Sequence, residues 1–318
     1  MRNVRLYAQN FHFLPHSSCF VLFSMLPFYT IVQLAELPEN ARVGVIGNPI
    51  AHSKSPQMQQ AALNNANTGL CYVRLLADTE PGGFEQLLSA LATRGFIGVN
   101  VTVPFKKRAH DAAVSLDPLA KLSGAVNTLV RREDGWHGFN TDGPGFSRAI
   151  EELCGRPLRE LRVLIMGACG GAGSALACQC ALEGCPALTL INRPRPELES
   201  LASSLSQHTS APVRTLHFDS PGLADAVAQA DLVVNATSLG LREGDPMPIP
   251  PELLNPGQLV YDIVTHETAL QRAALERGCT AATGLAMLLW QGAIAFEHWF
   301  NTTPDIGAMR TGLLGIKN

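Results

Sequence analysis

Short apolar runs that end in a glycine or a turn, each followed by a helix-start signal, recur along this chain. Residues 43–47 are one such run and predict a strand, because short apolar stretches bounded by glycine are typical of buried strands. Ser55 and Pro56 then predict a helix N-cap followed by proline at the first helical position, with a polar helix over residues 57–65. The pattern therefore predicts a strand that turns directly into a helix.

The same design returns at residues 99–103, a strand that runs into Pro104 at a predicted helix start. Lys106 would lie in the first turn of that helix. Residues 124–128 open another strand, and the turn signal at 134–135 predicts an antiparallel hairpin. The first half of the chain therefore mixes strands and helices within one α/β unit.

A second series begins with residues 163–166, an apolar strand that enters the glycine-rich segment 167–173. A helix up to about Gly184 and a strand at 188–191 follow. Strand, glycine-rich turn, helix and strand is the context of a dinucleotide site. In such a site the glycines let the backbone approach the pyrophosphate, and the helix N-terminus stabilises its charge.

The spacing of these glycines departs from the G-x-G-x-x-G template, which, counted from Gly167, places Cys169 and Ala172 where glycines are expected. We expect the neighbouring glycines to serve instead, namely Gly170, Gly171 and Gly173. The remaining alternation completes a nucleotide-binding sheet, with strands at 213–218, 232–235 and 259–264 and helices near 223–230, 268–278 and 286–300.

Composition narrows the class of protein. A length of 318 residues suits one large or two ordinary domains, and 46% hydrophobic with 16% charged residues is typical of an apolar enzyme. A net charge of −3 gives no indication of a nucleic-acid-binding protein, which is usually basic. The eight cysteines show no C-x-x-C and no metal-finger spacing, so we expect reduced thiols in a cytoplasmic protein and no metal site.

Residues 1–40 stand outside this pattern. Arg2 and Arg5 precede an apolar stretch, residues 11–32, which histidine, proline and serine interrupt too often for a signal peptide or a membrane span. We expect either an over-long start, with Met25 as the true first residue, or a disordered extension.

The first strand-to-helix turn has the chemistry of an anion site. Free N–H groups and the positive end of the helix dipole would face Ser53 and Ser55, whose hydroxyls could bind a carboxylate. Taken alone, Ser55 would be only a helix cap.

Six motifs, one of which contains that turn, together resemble those of the shikimate dehydrogenase family, and this resemblance favours a functional role for the turn. They lie at residues 48–56, 99–106, 124–128, 140–143, 235–238 and 284–292, and the resemblance extends from about residue 42 to the C-terminus. It implies a two-domain α/β protein with an N-terminal substrate domain, a Rossmann-like NADP-binding domain and an active-site cleft between them. We place the substrate domain at 41–142, completed by 285–318, and the cofactor domain at 143–284.

The cofactor assignment rests on the end of the second strand of the Rossmann-like unit. NAD enzymes have an acidic residue there, about 25 residues after the first glycine, whereas this chain has Asn192 and Arg193. Arginine suits a 2′-phosphate, so we expect NADP, although a surface arginine on a loop is the alternative. Family members that prefer NADP commonly have a second arginine nearby, where this chain has Glu197, with Arg195 two residues earlier. The predicted cofactor-binding residues are Gly167, Ala168, Gly170, Gly171, Gly173, Asn192, Arg193, Thr237 and Gly284.

The resemblance implies that Lys106 and Asp142 act at the reacting hydroxyl. An ordinary lysine, with a pKa of about 10.4, is a poor base at pH 7, and a neighbouring carboxylate favours its protonated form. We therefore expect Lys106 to donate the proton and stabilise charge while Asp142 orients it. The alternatives are a solvated basic helix face that includes Lys107 and Arg108, and a turn or cap role for the aspartate.

The resemblance also implies the residues around the substrate: Ser53 and Ser55 at its carboxylate, and Thr102, Asn127 and Gln291 around its ring and hydroxyls. Asn100 has weaker support. Thr265 departs from the family, which usually has tyrosine there, and His266 and Glu267 make the following turn shorter than usual. We expect this loop to alter substrate affinity or specificity.

The sequence therefore predicts an NADP-dependent shikimate dehydrogenase of aromatic amino-acid biosynthesis. A relative that uses quinate or NAD is the near alternative, but quinate users tend to have threonine at the position of Ser55. A non-catalytic NADP-binding relative is the alternative from another class, and the intact pair of Lys106 and Asp142 argues against it. Neither nucleic acid nor a membrane is an expected partner, and a homodimer is left open.

Overall fold

The computed structural model describes residues 28–315 and contains two six-stranded sheets with helices packed on them. The first sheet and its helices comprise β1 (Ala41–Gly47), α1 (Ser55–Asn65), β2 (Cys71–Leu76), α2 (Gly83–Thr93), β3 (Gly98–Val101), α3 (Lys106–Ala112), β4 (Ser115–Leu116), α4 (Pro118–Ser123), β5 (Thr128–Arg132) and β6 (Gly135–Phe139). Its strand order is β2-β1-β3-β5-β6-β4, and only β5 runs against its neighbours.

The second sheet follows a connecting helix, α5 (Asp142–Cys154). It comprises β7 (Arg162–Met166), α6 (Gly171–Glu183), β8 (Ala187–Ile191), α7 (Pro196–Leu205), β9 (Val213–Leu216), α8 (Leu223–Gln229), β10 (Leu232–Asn235), β11 (Leu259–Asp262), α9 (Ala269–Glu276) and β12 (Thr280–Thr283). The chain ends with α10 (Leu285–Phe300) and α11 (Ile306–Leu314), and short 3₁₀ turns lie at Ile31–Glu36, Leu158–Glu160 and Pro251–Leu253.

The second sheet is entirely parallel, with the strand order β9-β8-β7-β10-β11-β12. Counted from β7, this is the 3-2-1-4-5-6 order of Rossmann folds, whose ligands bind at the carboxyl ends of the strands where the order reverses. That point lies between β7 and β10. The predicted α/β fold with a Rossmann-like sheet is therefore confirmed.

The two C-terminal helices return to the first sheet. Leu289 and Phe296 of α10 and Met309 of α11 are buried in one apolar cluster with Val43 of β1 and Met58 of α1. This packing follows from the sequence of α10, which is apolar over most of its circumference. It places Gln291, in the same helix, near the N-terminal strands, as the resemblance predicts.

Both predicted proline helix starts need correction. The first helix begins at Ser55 itself, so Lys54 and not Ser55 occupies the N-cap, and Ser53 Oγ accepts the Ser55 N–H at 3.3 Å. Pro104 does not start a helix either. The Phe105 N–H donates to Thr102 O at 3.0 Å and closes a turn that contains Pro104, so α3 begins only at Lys106.

The other elements are close to their predicted positions. The hairpin forms one residue earlier than predicted, because Arg132 pairs with Gly135 and leaves a two-residue turn at 133–134. The strand predicted at 259–264 ends at Asp262, whose Oδ1 accepts the Val264 N–H at 3.0 Å. Strand β12 was not predicted, since its sequence has no apolar alternation.

Part of the stretch predicted as an extension packs on the first sheet. Tyr29 forms a parallel bridge to Leu75, and Tyr29 and Leu37 are each only 4% exposed. Residues 1–27, including the proposed start at Met25, lie outside the described residues, and the domain boundaries stay a prediction.

Among the helices of residues 28–315, none combines the length and the hydrophobicity that a membrane span requires.

Candidate active site

Two helix starts bring a lysine and an aspartate together at one edge of the first sheet. Lys106 is the first residue of α3 and Asp142 the first of α5. Lys106 Nζ lies 2.5 Å from Asp142 Oδ2, and the two side chains are only 17% and 10% exposed. The carboxyl ends of β3 and β6 share this edge because β6 runs parallel to β3. The Lys106 ammonium and the Asp142 carboxylate are therefore in contact, mostly buried and still partly accessible to solvent.

Asn127 holds the other oxygen of the carboxylate. Its Nδ2 donates to Asp142 Oδ1 at 2.8 Å, while its Oδ1 accepts the Thr141 N–H at 2.7 Å. Asn140 Oδ1 in turn accepts the Asp142 N–H at 3.1 Å. Because both oxygens of Asp142 have a donor, the carboxylate is fixed in position and its Oδ2 faces Lys106.

Gln291 reaches this cluster from the far end of the chain. It is 7% exposed, and its Oε1 accepts a hydrogen bond from Thr141 Oγ1 at 3.5 Å. Its Nε2 donates to Leu288 O at 2.9 Å. The structure therefore joins Lys106, Asp142, Asn127, Thr141 and Gln291 through hydrogen bonds.

The predicted carboxylate-binding serines lie at the same edge, after β1. Ser55 is 7% exposed, and the main-chain oxygen of Ser53 accepts two hydrogen bonds from Arg74, from Nε at 3.2 Å and from Nη2 at 2.7 Å. Partial burial lowers the pKa of the Arg74 guanidinium. Arg74 therefore fixes the serine turn from β2, a role that the sequence pattern gave no means of finding.

Thr102 joins the end of β1, which leads into the serine turn, to β3. Its N–H donates to Ile46 O at 2.9 Å, and a β carbon on Gly47 would come within 2.6 Å of Thr102 Cγ2. The last residues of β1 and the residue after β3 are thus in direct contact. Four of the five predicted substrate-binding residues lie on the edge that Lys106 and Asp142 occupy, and Gln291 reaches it from α10 through Thr141.

The glycine-rich segment lies at the point of the second sheet where the strand order reverses. Gly167 has φ +81°, and a β carbon there would come within 2.8 Å of the Ala236 main chain. A β carbon on Gly173 would lie 2.2 Å from Gly167 O. These two glycines are required by packing, and they hold Ala168, which is fully buried, against β10.

Gly170 and Gly171 have more open space around them than Gly167 and Gly173. A β carbon on Gly171 would meet no described atom within 4 Å, and one on Gly170 would meet only main-chain oxygens, the nearer at 3.2 Å. Gly171 is the first residue of α6, where N–H groups have no intrahelical acceptor. Open space in front of such N–H groups suits a phosphate, so this turn fits the pyrophosphate of a dinucleotide.

The end of β8 offers a cation beside this turn. Arg193 is exposed and forms no ion pair or side-chain hydrogen bond with another residue of the described chain, whereas Arg195 Nε lies 3.8 Å from Glu197 Oε2. Asn192 is buried, and its Oδ1 accepts the Cys169 N–H at 3.4 Å. Asn192 therefore fastens the glycine-rich turn, and Arg193 is left available for an anion.

Thr237 and Gly284 both serve turns at the carboxyl edge of the second sheet. Thr237 Oγ1 donates to Asn235 Oδ1 at 2.7 Å and accepts the Leu239 N–H at 3.1 Å. A β carbon on Gly284 would come within 2.1 Å of Ile263 O. The Thr237 hydroxyl is thus engaged by its own turn, so a cofactor would meet this segment mainly through its main chain.

A pocket of about 320 Å³ lies away from the lysine and aspartate. It is formed by residues 239–248 and by the segment around His266, whose Nε2 lies 2.9 Å from Gly240 O. Thr265, which departs from the family, is half-buried beside it. No predicted site residue lines this pocket.

Within residues 28–315, histidine, cysteine and carboxylate side chains form no cluster of three that could hold a metal.

Comparison with known proteins identifies the family. The family model of the shikimate dehydrogenase substrate binding domain matches residues 45–129, and that of the shikimate 5'-dehydrogenase C-terminal domain matches residues 284–313. A shikimate dehydrogenase (NADP(+)) of Rubrobacter xylanophilus is 42% identical over 281 residues, which are 87% of this chain and 96% of that protein. The chain belongs to the shikimate dehydrogenase family. The resemblance that its six motifs predict is confirmed.

Solved structures of the shikimate dehydrogenase family have the same fold. Shikimate 5-dehydrogenase from Listeria monocytogenes, in complex with shikimate and NAD, is 31% identical with a TM-score of 0.77, over 86% of this chain and 96% of that one. The enzyme from Thermus thermophilus, in complex with NADP(H) and shikimate, is 34% identical with a TM-score of 0.74, over 86% and 99%. The fold described above is therefore shared with these two enzymes.

Proposed function

We propose that this protein catalyses the reversible, NADP-linked oxidation of shikimate to 3-dehydroshikimate in aromatic amino-acid biosynthesis. The observation that supports it most directly is the contact between Lys106 Nζ and Asp142 Oδ2, with Asn127 on the other carboxylate oxygen. Shikimate is a small carboxylic acid with three ring hydroxyls. Its oxidation requires a hydride acceptor, a group that exchanges a proton with the reacting hydroxyl, and contacts that hold the ring.

NADP, when bound, supplies the hydride acceptor. The residues that would hold it are the glycine-rich turn 167–173 for the pyrophosphate and Arg193 for the 2′-phosphate, with Asn192, Thr237 and Gly284 around them. The Rubrobacter relative is named for NADP(+) and the Thermus structure contains NADP(H), whereas the Listeria structure contains NAD. An exposed arginine at the end of β8 favours NADP for this chain.

Lys106 exchanges the proton in this proposal. In the reductive direction its ammonium donates a proton from Nζ to the carbonyl oxygen of the substrate and stabilises the developing negative charge. Asp142 Oδ2 holds that ammonium in place, and Asn127 prevents the carboxylate from rotating. In the oxidative direction the neutral amine accepts the same proton, since both directions pass through one transition state.

The remaining residues position the ring. Ser53 and Ser55 bind the carboxylate with their hydroxyls, because they lie at the start of α1 where the helix dipole favours a negative charge. Thr102, after β3, and Gln291, in α10, contact the ring and its hydroxyls. A cytoplasmic location and a homodimeric state stay predictions.

Initial rates test this function. Wild type, Lys106→Ala and Lys107→Ala are assayed with shikimate or quinate as substrate and NADP or NAD as cofactor. Lys107 is the matched control, because its side chain is 77% exposed and, within residues 28–315, pairs with Asp111 of the same helix. We expect shikimate with NADP to give the highest kcat/KM, a loss of about 10²–10⁴-fold in Lys106→Ala, and no loss in Lys107→Ala.

Faster turnover of quinate or of NAD would assign the chain to the alternative substrate or cofactor. Binding of NADPH without turnover of either acid would contradict the enzyme assignment and favour a non-catalytic relative.

A further inference from the structure

A chain of hydrogen bonds runs from a buried tyrosine to the carboxylate of the proposed site. The Tyr72 hydroxyl donates to Asn100 Oδ1 at 2.8 Å, and Asn100 Nδ2 donates to Thr128 Oγ1 at 3.0 Å. Thr128 Oγ1 donates to Asn127 Oδ1 at 3.3 Å. Asn127 Nδ2 then donates to Asp142 Oδ1 at 2.8 Å. None of the five residues is more than 7% exposed, so solvent competes little for these bonds.

The orientation of the Asn100 amide is determined by its neighbours. Asn100 Nδ2 has two acceptors, Thr128 Oγ1 and the main-chain oxygen of Asn127 at 3.4 Å, so the amide oxygen must face Tyr72. Burial raises the pKa of the Tyr72 phenol well above its usual range, so the hydroxyl keeps the proton that it donates. Thr128 accepts from Asn100, and its own proton has two acceptors at 3.3 Å, Asn127 Oδ1 and Thr141 Oγ1.

The tyrosine is itself held rigidly. Tyr72 lies in β2, at the edge of the sheet, and its hydroxyl reaches across β1 to a side chain of β3. The Trp299 ring packs against it with a centroid separation of 6.2 Å, and Trp299 Nε1 donates to Leu129 O at 3.1 Å. The first member of the chain therefore has little freedom to move.

The orientation of the Asn127 amide decides what faces the carboxylate. In the observed orientation a donor, Nδ2, meets Asp142 Oδ1. A half-turn of the amide would place its oxygen against the carboxylate, and two acceptors repel each other. It would also leave the Thr128 hydroxyl and the Thr141 N–H without their common acceptor.

We propose that Tyr72 is a positioning residue for the reaction, which acts through Asn100 and Thr128 to keep the nitrogen of Asn127 towards Asp142. The catalytic consequence rests on the proposed function, since it is the pair of Asp142 and Lys106 that the chain of bonds keeps in register. Loss of the phenol hydroxyl leaves Asn100 Oδ1 buried without its donor and allows this amide to turn. Thr128 then donates back to Asn100, and Asn127 loses one of its restraints.

Tyr72→Phe removes the hydroxyl and keeps the ring. Tyr261→Phe is the matched control: Tyr261 is also fully buried, and its hydroxyl accepts the Met287 N–H at 3.1 Å outside this chain of bonds. We expect kcat to fall about five- to tenfold in Tyr72→Phe, as for the loss of one net hydrogen bond, with KM for shikimate within about twofold of wild type. Tyr261→Phe should leave kcat unchanged.

A mutant cycle separates positioning from a general loss of packing. In an Asn127→Ala background, Tyr72→Phe should cause no further loss of kcat, because the residue through which it acts is already gone. An undiminished kcat in Tyr72→Phe, or the same fold loss in both backgrounds, would overturn the proposal.

The side-chain amide ¹H–¹⁵N signals of Asn127 provide a readout that needs no turnover. They are assigned by their disappearance in Asn127→Ala. The proposal expects them to shift in Tyr72→Phe and to stay in place in Tyr261→Phe, and unshifted signals in Tyr72→Phe would overturn it. If the wild type has no activity but the Asn127 signals still shift in Tyr72→Phe, the proposed function is rejected and the chain of bonds is retained.

Discussion

Gly145 of α5 lies directly against the backbone of Gln291 in α10, so that a β carbon on Gly145 would come within 2.6 Å of the Gln291 main-chain nitrogen. Helix α5 begins with Asp142, one turn before this contact. Because Gly145 has no side chain, α5, which begins with the proposed catalytic aspartate, can pack closely against α10, which carries the proposed substrate ligand. The contact joins residues from opposite halves of the chain.

Gly145→Ala should separate these two helices. Overpacking of this kind costs about 1–3 kcal/mol of the free energy of unfolding, which urea denaturation would measure. Because Gln291 moves away from the ring, we expect KM for shikimate to rise more than kcat falls. Gly222→Ala is the control, since a β carbon there meets no described atom within 4 Å. A destabilised variant with an unchanged KM would argue against Gln291 as a substrate ligand.

Asp142→Asn should abolish most turnover while the fold is kept. The amide is nearly the same size as the carboxylate, but it no longer attracts the Lys106 ammonium, so we expect kcat to fall about 10²-fold. The double variant Asp142→Asn/Lys106→Ala should be hardly slower than Lys106→Ala alone, because residues that act as a unit are not additive. Asp111→Asn, which removes the partner of Lys107, is the control. Losses that multiply in the double variant would show that the two residues act independently.

The sequence predicts the elements of this fold better than it predicts contacts between them. Residues 163–166 and 232–235 were expected as strands and lie within β7 and β10, because short apolar runs are local signals. The helix start at Ser55 was misplaced by one residue, since the N-cap depends on main-chain angles that a Ser-Pro pair does not determine. Strand β12, with its sequence Thr-Ala-Ala-Thr, gives no local signal and forms because β11 offers it an edge.

The sequence predicts the site only through motifs that resemble those of a known family. Nothing in the spacing of Lys106 and Asp142 indicates that they meet, because the contact depends on β5 running antiparallel to both β3 and β6. Thr141 lies inside one of the motifs but is not among the predicted site residues, although it links Asn127 to Gln291. Tyr72 lies in none of the motifs, so its link to the site becomes visible only in three dimensions.

Arg193→Ala should weaken the binding of NADP and not that of NAD. A paired, charged hydrogen bond to a 2′-phosphate contributes about 1.5–3 kcal/mol, so we expect KM for NADP to rise about 10- to 100-fold. Arg195→Ala is the matched control, because this second arginine lies two residues on and is near Glu197. Titration of NADPH fluorescence would measure binding without turnover. A larger effect of Arg195→Ala would assign the phosphate to that residue instead.

His298 should make the stability of the fold depend on pH. Its ring stacks on Phe139 with a centroid separation of 4.0 Å, and burial lowers the pKa of His298. Glu297 opposes this shift and Arg132 adds to it. With the folded pKa below the ordinary value of about 6.5, the unfolded chain binds more protons as the pH falls below that value. The contribution of His298 to the free energy of unfolding is therefore fully present above about pH 6.5. It is lost progressively as the pH falls through the folded pKa.

His298→Phe keeps the ring stack and removes the titrating group, so the comparison of the two proteins isolates this contribution. Between about pH 7.5 and about pH 5.5 we expect Tm to fall more in wild type than in His298→Phe, since all other titrating groups are common to both. Differential scanning calorimetry at intervals across this range would measure the two slopes. Parallel slopes would mean that the histidine exchanges its proton equally in the folded and unfolded chains, and that the contact with Phe139 does not exclude the charged ring.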